Sequence, residues 1–388
     1  VSSDQGYAGG IAAENYGELI QCFVGEEGKA GSLEIRSEGS DALGAVCAVN
    51  YESGRVLASV PLGGIRISGD AGAAGGVAGR NLGYISGEAE LDDMKTVEVN
   101  LSYMPELDLS SGDVSVGGVA GENGEEEKGD QEENWLIENI TVGSKGIDLT
   151  AERNYQYLGG IAGRNQEGAK VEGCTFSGTI TEDKGGTTGA CYGGIAGDNK
   201  GEITECRVKG ITMTIDGVYT ATSTSTAAQK EALSSHAGGV AGKNDSTGEI
   251  LGCLIEKGSK TSRIEAESGM AGGIVGYNKG SLRLSGDAVT EELMAEGAAG
   301  DIQGLTGKEL ADRAELYGIA ADDSYVTWNG ANRAPLENFV YDGSNRSVSS
   351  GRSLVLILSV NGNLGGITAY NGPEGKVDYC ATGDWYLN

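Results

Sequence analysis

Gly193-Gly194-Ile195-Ala196-Gly197-Asp198-Asn199 is the clearest copy of a seven-residue pattern that recurs along the whole 388-residue chain. Its central apolar position is filled in turn by Ile11, Val46, Val77, Val119, Ile161, Ile195, Val240, Ile274 and Ile367. A degenerate copy, Tyr317-Gly318-Ile319-Ala320-Ala321-Asp322-Asp323, falls in the one large gap. Self-similarity at intervals of 31 to 48 residues is the mark of a repeat architecture, and no interval is long enough to hold an unrelated domain. The chain therefore reads as one repeat domain over residues 1–388, with about ten units and with degenerate, insertion-bearing coils over 290–362.

Outward from the pattern, each unit predicts three short strands, as in Tyr192 to Ala196, Glu202 to Val208 and Ile211 to Ile215, with Gly, Asn or Asp between them. One unit is then one coil of a parallel β-helix, an all-β solenoid whose right-handed winding is expected from the general crossover rule. The Gly pair permits either a positive φ or a close backbone approach where the chain turns. Four residues after the apolar position stand Asn15, Asn50, Asn81, Asn123, Asn165, Asn199, Asn244, Asn278 and Asn371, with Asp323 in the degenerate copy. Asn tolerates the left-handed region, and its amide can bond to an equivalent amide one rung away, roughly 4.8 Å distant. This row reads as a structural ladder. Extra length enters at Glu182 to Ala190, Asp216 to Ala237, Lys257 to Met270 and Glu291 to Leu316, which predicts insertions gathered at one corner. The insertion Gly217 to Ser235 is expected to be removable without loss of fold, and Thr306 to Leu316, opening on a capping-box signature, is expected to be helical.

Composition agrees with a turn-rich stack. There are 68 Gly against 4 Pro, and aromatics make up only 6%, so thin layers of Ile, Val, Leu and Ala must form the core. The formal charge of -29 repels phosphate backbones and anionic lipid headgroups, which argues against nucleic-acid and membrane-surface partners. The apolar run Ser353 to Val360 is too short to cross a membrane and reads as a buried strand. With its first repeat core at Gly9-Gly10-Ile11, the chain is expected to be a monomeric segment of a longer protein.

The Gly-Ile/Val-Ala-Gly core resembles the GLUG motif, found in repeats of large bacterial surface adhesins and beside the catalytic region of some IgA-cleaving metallopeptidases. The resemblance implies an extracellular β-solenoid on a bacterial cell surface, in an adhesive, spacer or peptidase-accessory role. Ala13, Val49, Ala321 and Ala369 are assigned to the motif's second Gly position, as departures from it.

Candidate chemistry is sparse. The chain has one histidine, His236, so it cannot build an H-E-x-x-H zinc site by itself, and His236 is expected in a surface loop. Cys22, Cys174, Cys206, Cys253 and Cys380 fall at one position of the second strand and predict a structural column of buried thiols, while Cys47 and Cys191 lie outside it. Disulfides between adjacent rungs are the rival, disfavoured because in-register side chains point the same way. No C-x-x-C pair exists. The acidic run Glu125 to Glu133 is expected to be a solvated loop, with weak calcium binding its functional alternative. No catalytic, cofactor or metal residue is assigned. The expected partner is a protein or glycan ligand on host or neighbouring cells, met by corner loops. A polysaccharide-degrading β-helix enzyme is the third reading, and the chain has no cluster of basic residues to hold an acidic polymer.

Overall fold

The computed structural model describes residues 1–4, 6–27, 33–90, 96–110, 114–125, 135–151, 155–182, 188–256, 262–283, 285–286, 339–341, 346–348, 355–378, 380 and 385–387. The fold is a parallel β-solenoid. Two nine-stranded sheets run its length, one from Ala12–Asn15 to Thr368–Asn371 and one from Glu18–Ile20 to Lys376–Asp378. A third, longer sheet carries strands such as Leu33–Gly44, Ile65–Gly75 and Ser262–Gly272, which lead into the next Gly turn.

The core follows from alternation. Val46, Val77, Val119, Ile161, Ile195, Val240 and Ile274 stack as a column of fully buried side chains. Val56, Ile85, Ile137, Val171, Ile203, Ile250 and Leu282 form a second column, at most 1% exposed. Each β-branched side chain rests on its equivalent one rung away, the packing that pleated sheets reward.

Close approach, rather than positive φ, explains the turn glycines. A Cβ on Gly193 would lie 1.9 Å from the Ala196 carbonyl oxygen of its own turn, and one on Gly197 would lie 2.7 Å from Gly163 O and Leu158 N. Left-handed conformations recur at the next corner, at Gln21, Ala58, Asn139, Gly173, Glu205 and Gly252, and in four of the six a cysteine follows. Register also corrects one assignment: Val49 pairs with Glu14 and Arg80, so Ala48 holds the Gly position in that coil.

Nine rungs are present among the described residues, where ten were expected. Val275–Asn278 pairs directly with Thr368–Asn371, and Ile274 N donates to Ile367 O at 2.9 Å, so no rung separates them. The degenerate copy around Ile319 and Asp323, the expected helix Thr306 to Leu316 and most of the acidic run after Glu125 lie outside the described residues.

The insertions do not share one corner. The antiparallel hairpin Glu88–Glu90/Thr96–Glu98 enters between the second and third sheets, while residues 257–261 and 287–354 enter within the third sheet, after Leu254–Glu256 and after the Gly286 bridge to Leu254. Residues 183–190 and 216–235 enter before the Gly turn, and 126–134 follow a ladder Asn. Counting along the sequence from one Gly pair to the next gives a coil's total length, while only strand pairing shows which corner holds the excess.

Candidate functional site

The nine ladder asparagines form one continuous chain of amides. Each Nδ2 donates to the Oδ1 of the next rung at 2.8 or 2.9 Å, from Asn15 through Asn50, Asn81, Asn123, Asn165, Asn199, Asn244 and Asn278 to Asn371. Most Nδ2 atoms also reach a carbonyl of their own turn, such as Asn81 to Gly83 O at 3.1 Å. Seven of the nine are at most 1% exposed, which leaves no face open to a ligand. The row is internal wiring, and its amides are saturated by protein.

The cysteine column sits just past the second sheet, at the corner. Strand register aligns Cys22 with Ser59 and Cys253 with Ser285, and each Ser Oγ accepts from the Cys N–H, at 2.9 and 3.1 Å. Cys174, Cys206 and Cys253 occupy successive rungs and are fully buried. Their sulfurs point to carbonyls of the preceding rung, at 3.8 Å from Ile137 O, 3.6 Å from Val171 O and 3.6 Å from Ile203 O. None of the seven cysteines is in a disulfide, and burial pushes the Cys206 thiol well above its ordinary range.

Reactive groups converge elsewhere, in the corner at the Gly turn. The strand entering the turn places Tyr157, Cys191, His236 and Met270 on successive rungs. The strand leaving it places Arg80, Glu122, Arg164, Asp198, Lys243 and Tyr277 in register. Charge alternates along the first five. Arg80 Nε lies 3.0 Å from Glu122, Arg164 lies 3.5 Å from Glu122, and Lys243 Nζ lies 4.0 Å from Asp198. The Arg164 guanidinium also covers the Tyr157 ring at 4.7 Å. Alternation lets like strands stack in parallel without placing like charges on neighbouring rungs.

His236 is in a strand and 1% exposed, not in a surface loop. It aligns with Cys191, whose Sγ lies 3.6 Å from His236 Nδ1, and its ring meets Tyr277 at a centroid distance of 5.2 Å. Burial pushes the imidazole down to about 3, with nearby Lys243 acting in the same sense. Burial raises the Cys191 thiol, helped by Asp198. Asp198 is itself raised by burial, against the pull of Lys243 and Arg164. Burial alone would lower Lys243, but Asp198, Cys191, Asp245 and Glu231 outweigh it and hold the ammonium charged.

The insertion 216–235 closes this corner as a strap. Its base is an antiparallel bridge between Tyr219 and Ser234, and it carries helix α1 (Ala227–Ala232), capped by Thr226 and Gln229. Glu231 reaches Lys243 at 2.8 Å and Lys279 at 3.4 Å, Tyr277 Oη donates to Ala227 O at 3.2 Å, and Lys230 lies over the Tyr370 ring at 5.0 Å. The strap thus spans three rungs beyond its own coil. Removing Gly217 to Ser235 would take these contacts away.

Counted forward from the preceding apolar core residue, Ile161 or Ile195, Cys191 and His236 fall at different offsets because coil length varies. Counted from the Gly pair, both stand two residues before the first Gly, a signal that would have placed them together. Trp135 packs at 3% exposure against Val49, Leu82 and Ala169, a structural place. Among the described residues no group of three metal-ligating side chains converges, and no helix is long and apolar enough to cross a membrane.

Comparison with known proteins agrees with the repeat. The family model described as the GLUG motif matches residues 154–181, which run from the Gly turn of the fifth rung into the following strands. No curated protein and no solved structure matches the chain significantly.

Proposed function

We propose that this chain is a non-catalytic scaffold segment of an extracellular bacterial surface protein, whose loops bind a protein or glycan ligand on host or neighbouring cells. The observation that carries this reading is the indifference of the stack to insertion. The Asn ladder continues unbroken across sequence intervals from 31 to 93 residues, so coil length varies while rung geometry stays fixed. Rigid rungs with variable corners are a platform for recognition, because loops joining fixed ends cost little to lengthen. The GLUG-motif match supports the surface context, since that motif occurs in surface-adhesin repeats. The acidic surface favours a neutral or basic partner.

Replacing residues 288–353 with a short Gly/Ser linker tests this. The expected result is an unchanged far-UV spectrum and thermal transition, with loss of saturable binding of the purified chain to intact host or bacterial cells. If the intact chain shows no saturable binding, a pure spacer is the better reading. Cleavage of a polysaccharide by the intact chain would contradict both.

A further inference from the structure

The strap is tied to the stack by ion pairs, a hydrogen bond and a cation–π contact. Helix α1 buries none of its own residues, and Glu231 is its charged anchor between Lys243 and Lys279. At this corner His236 Nε2 and Asp198 Oδ1, with Ser234 Oγ at the base of the strap itself, are buried without a hydrogen-bond partner, in residues at most 2% exposed. A corner built only for packing is made differently, as the second rung of this same chain shows with Ala42 and Val49 at the equivalent positions. Polar groups sealed without partners destabilise the closed form and are relieved by water when it opens.

We infer that residues 216–235 gate a concealed thiol–imidazole pair, Cys191 and His236, which becomes a site of thiol–disulfide exchange when the strap lifts. Opening removes the burial that keeps both groups neutral, and the proton on Sγ passes to Nδ1, 3.6 Å away. Four charged groups act on this thiol: Asp198 and Glu231 oppose a thiolate, whereas Lys243 and Arg164 favour it. Lifting the strap carries Glu231 away, so the balance shifts towards the anion. The thiolate then attacks a disulfide supplied by a partner or by a small molecule. A new Sγ–S bond forms, the S–S bond breaks, and the departing thiolate takes up a proton from the imidazolium or water. The imidazole partner is particular to Cys191, because the chain has one histidine; Cys47, Cys174, Cys206 and Cys253 lie in the core, and Cys22 and Cys380 are partly exposed thiols outside the gate.

The test uses 5,5′-dithiobis(2-nitrobenzoate) as the disulfide, on the full chain carrying Cys22→Ser and Cys380→Ser, which remove the two partly exposed thiols. Glu231→Gln should speed modification of one thiol per chain by about tenfold, the effect of losing a charge-assisted anchor on a local opening. Replacing 219–234 with Gly-Gly should speed it further, and Cys191→Ser should abolish the fast phase. In the shortened chain the fast phase should titrate below an ordinary thiol, and His236→Gln should move it back up. Mass analysis should find the mixed disulfide on Cys191. The gate is refuted if Cys191 reacts no faster than Cys206 in every variant. The pair is refuted if the fast phase shows an ordinary thiol pH profile that His236→Gln leaves unchanged.

Discussion

Replacing Ile195 with aspartate is expected to open the middle of the stack and to destabilise the protein by about 4 kcal/mol or more, the scale of an unpaired charge in an apolar interior. Ile195 is fully buried in the column, its carbonyl accepts from Ile161 N at 3.0 Å, and its N–H donates to Val240 O at 2.9 Å. Among the described residues no Lys or Arg is buried to meet the new carboxylate. Because stability in a solenoid is close to a sum over neighbouring coils, the damage should begin locally. Limited proteolysis should cut first between rungs five and seven, and urea unfolding should lose its single transition. Ile195→Val, which keeps shape and polarity, should cost about 1 kcal/mol. Uniform cleavage along the chain, or an aspartate as mild as the valine, would contradict a continuous packed column.

The second large effect concerns the direction of the ladder. Every link donates from Nδ2 to the Oδ1 of the next rung, so an interior position needs both a donor and an acceptor. Asn199→Asp keeps the acceptor for Asn165 but turns a carboxylate oxygen towards Asn244 Oδ1, and it also loses the bond to Gly201 O at 3.1 Å. Two acceptors facing each other in a buried site should cost about 3 kcal/mol or more. At Asn371 the same substitution loses only the bond to Gly375 O at an exposed position, and should cost less than about 1 kcal/mol. Chemical unfolding of the two variants side by side reads the difference. Equal costs would mean that the ladder has no fixed polarity.

The stack was legible in the sequence wherever a contact has a fixed sequence offset. The ladder Asn always stands four residues after the apolar core residue, whatever the coil length, so Asn278 and Asn371 fall into one row although 93 residues separate them. The corner chemistry was hidden because the residue type at its position changes from rung to rung, Tyr157, Cys191, His236 and Met270 in turn, so no repeated residue marks the column. Cys191 and His236 are 45 residues apart and meet only through strand register. The 216–235 insertion looked like a solvated loop by composition, since its Thr, Ser and Ala tip is polar, but Glu231 finds two lysines from separate rungs. The count of ten coils failed for a related reason. The Tyr317 to Asp323 segment matches the pattern locally, yet rung eight already pairs with Thr368–Asn371.

Hydrogen exchange across that joint tests the central claim most directly, namely that one uninterrupted stack carries the insertions as passengers. Val275 N donates to Ile367 O at 3.0 Å, and Asn278 Nδ2 donates to Asn371 Oδ1 at 2.8 Å. Peptides covering 272–278 should therefore be protected to the same degree as those covering 193–199, and they should stay protected when residues 288–353 are replaced by the short linker. Fast exchange at 272–278 with full protection at 193–199 would show that the stack ends at the eighth rung, and would contradict the account.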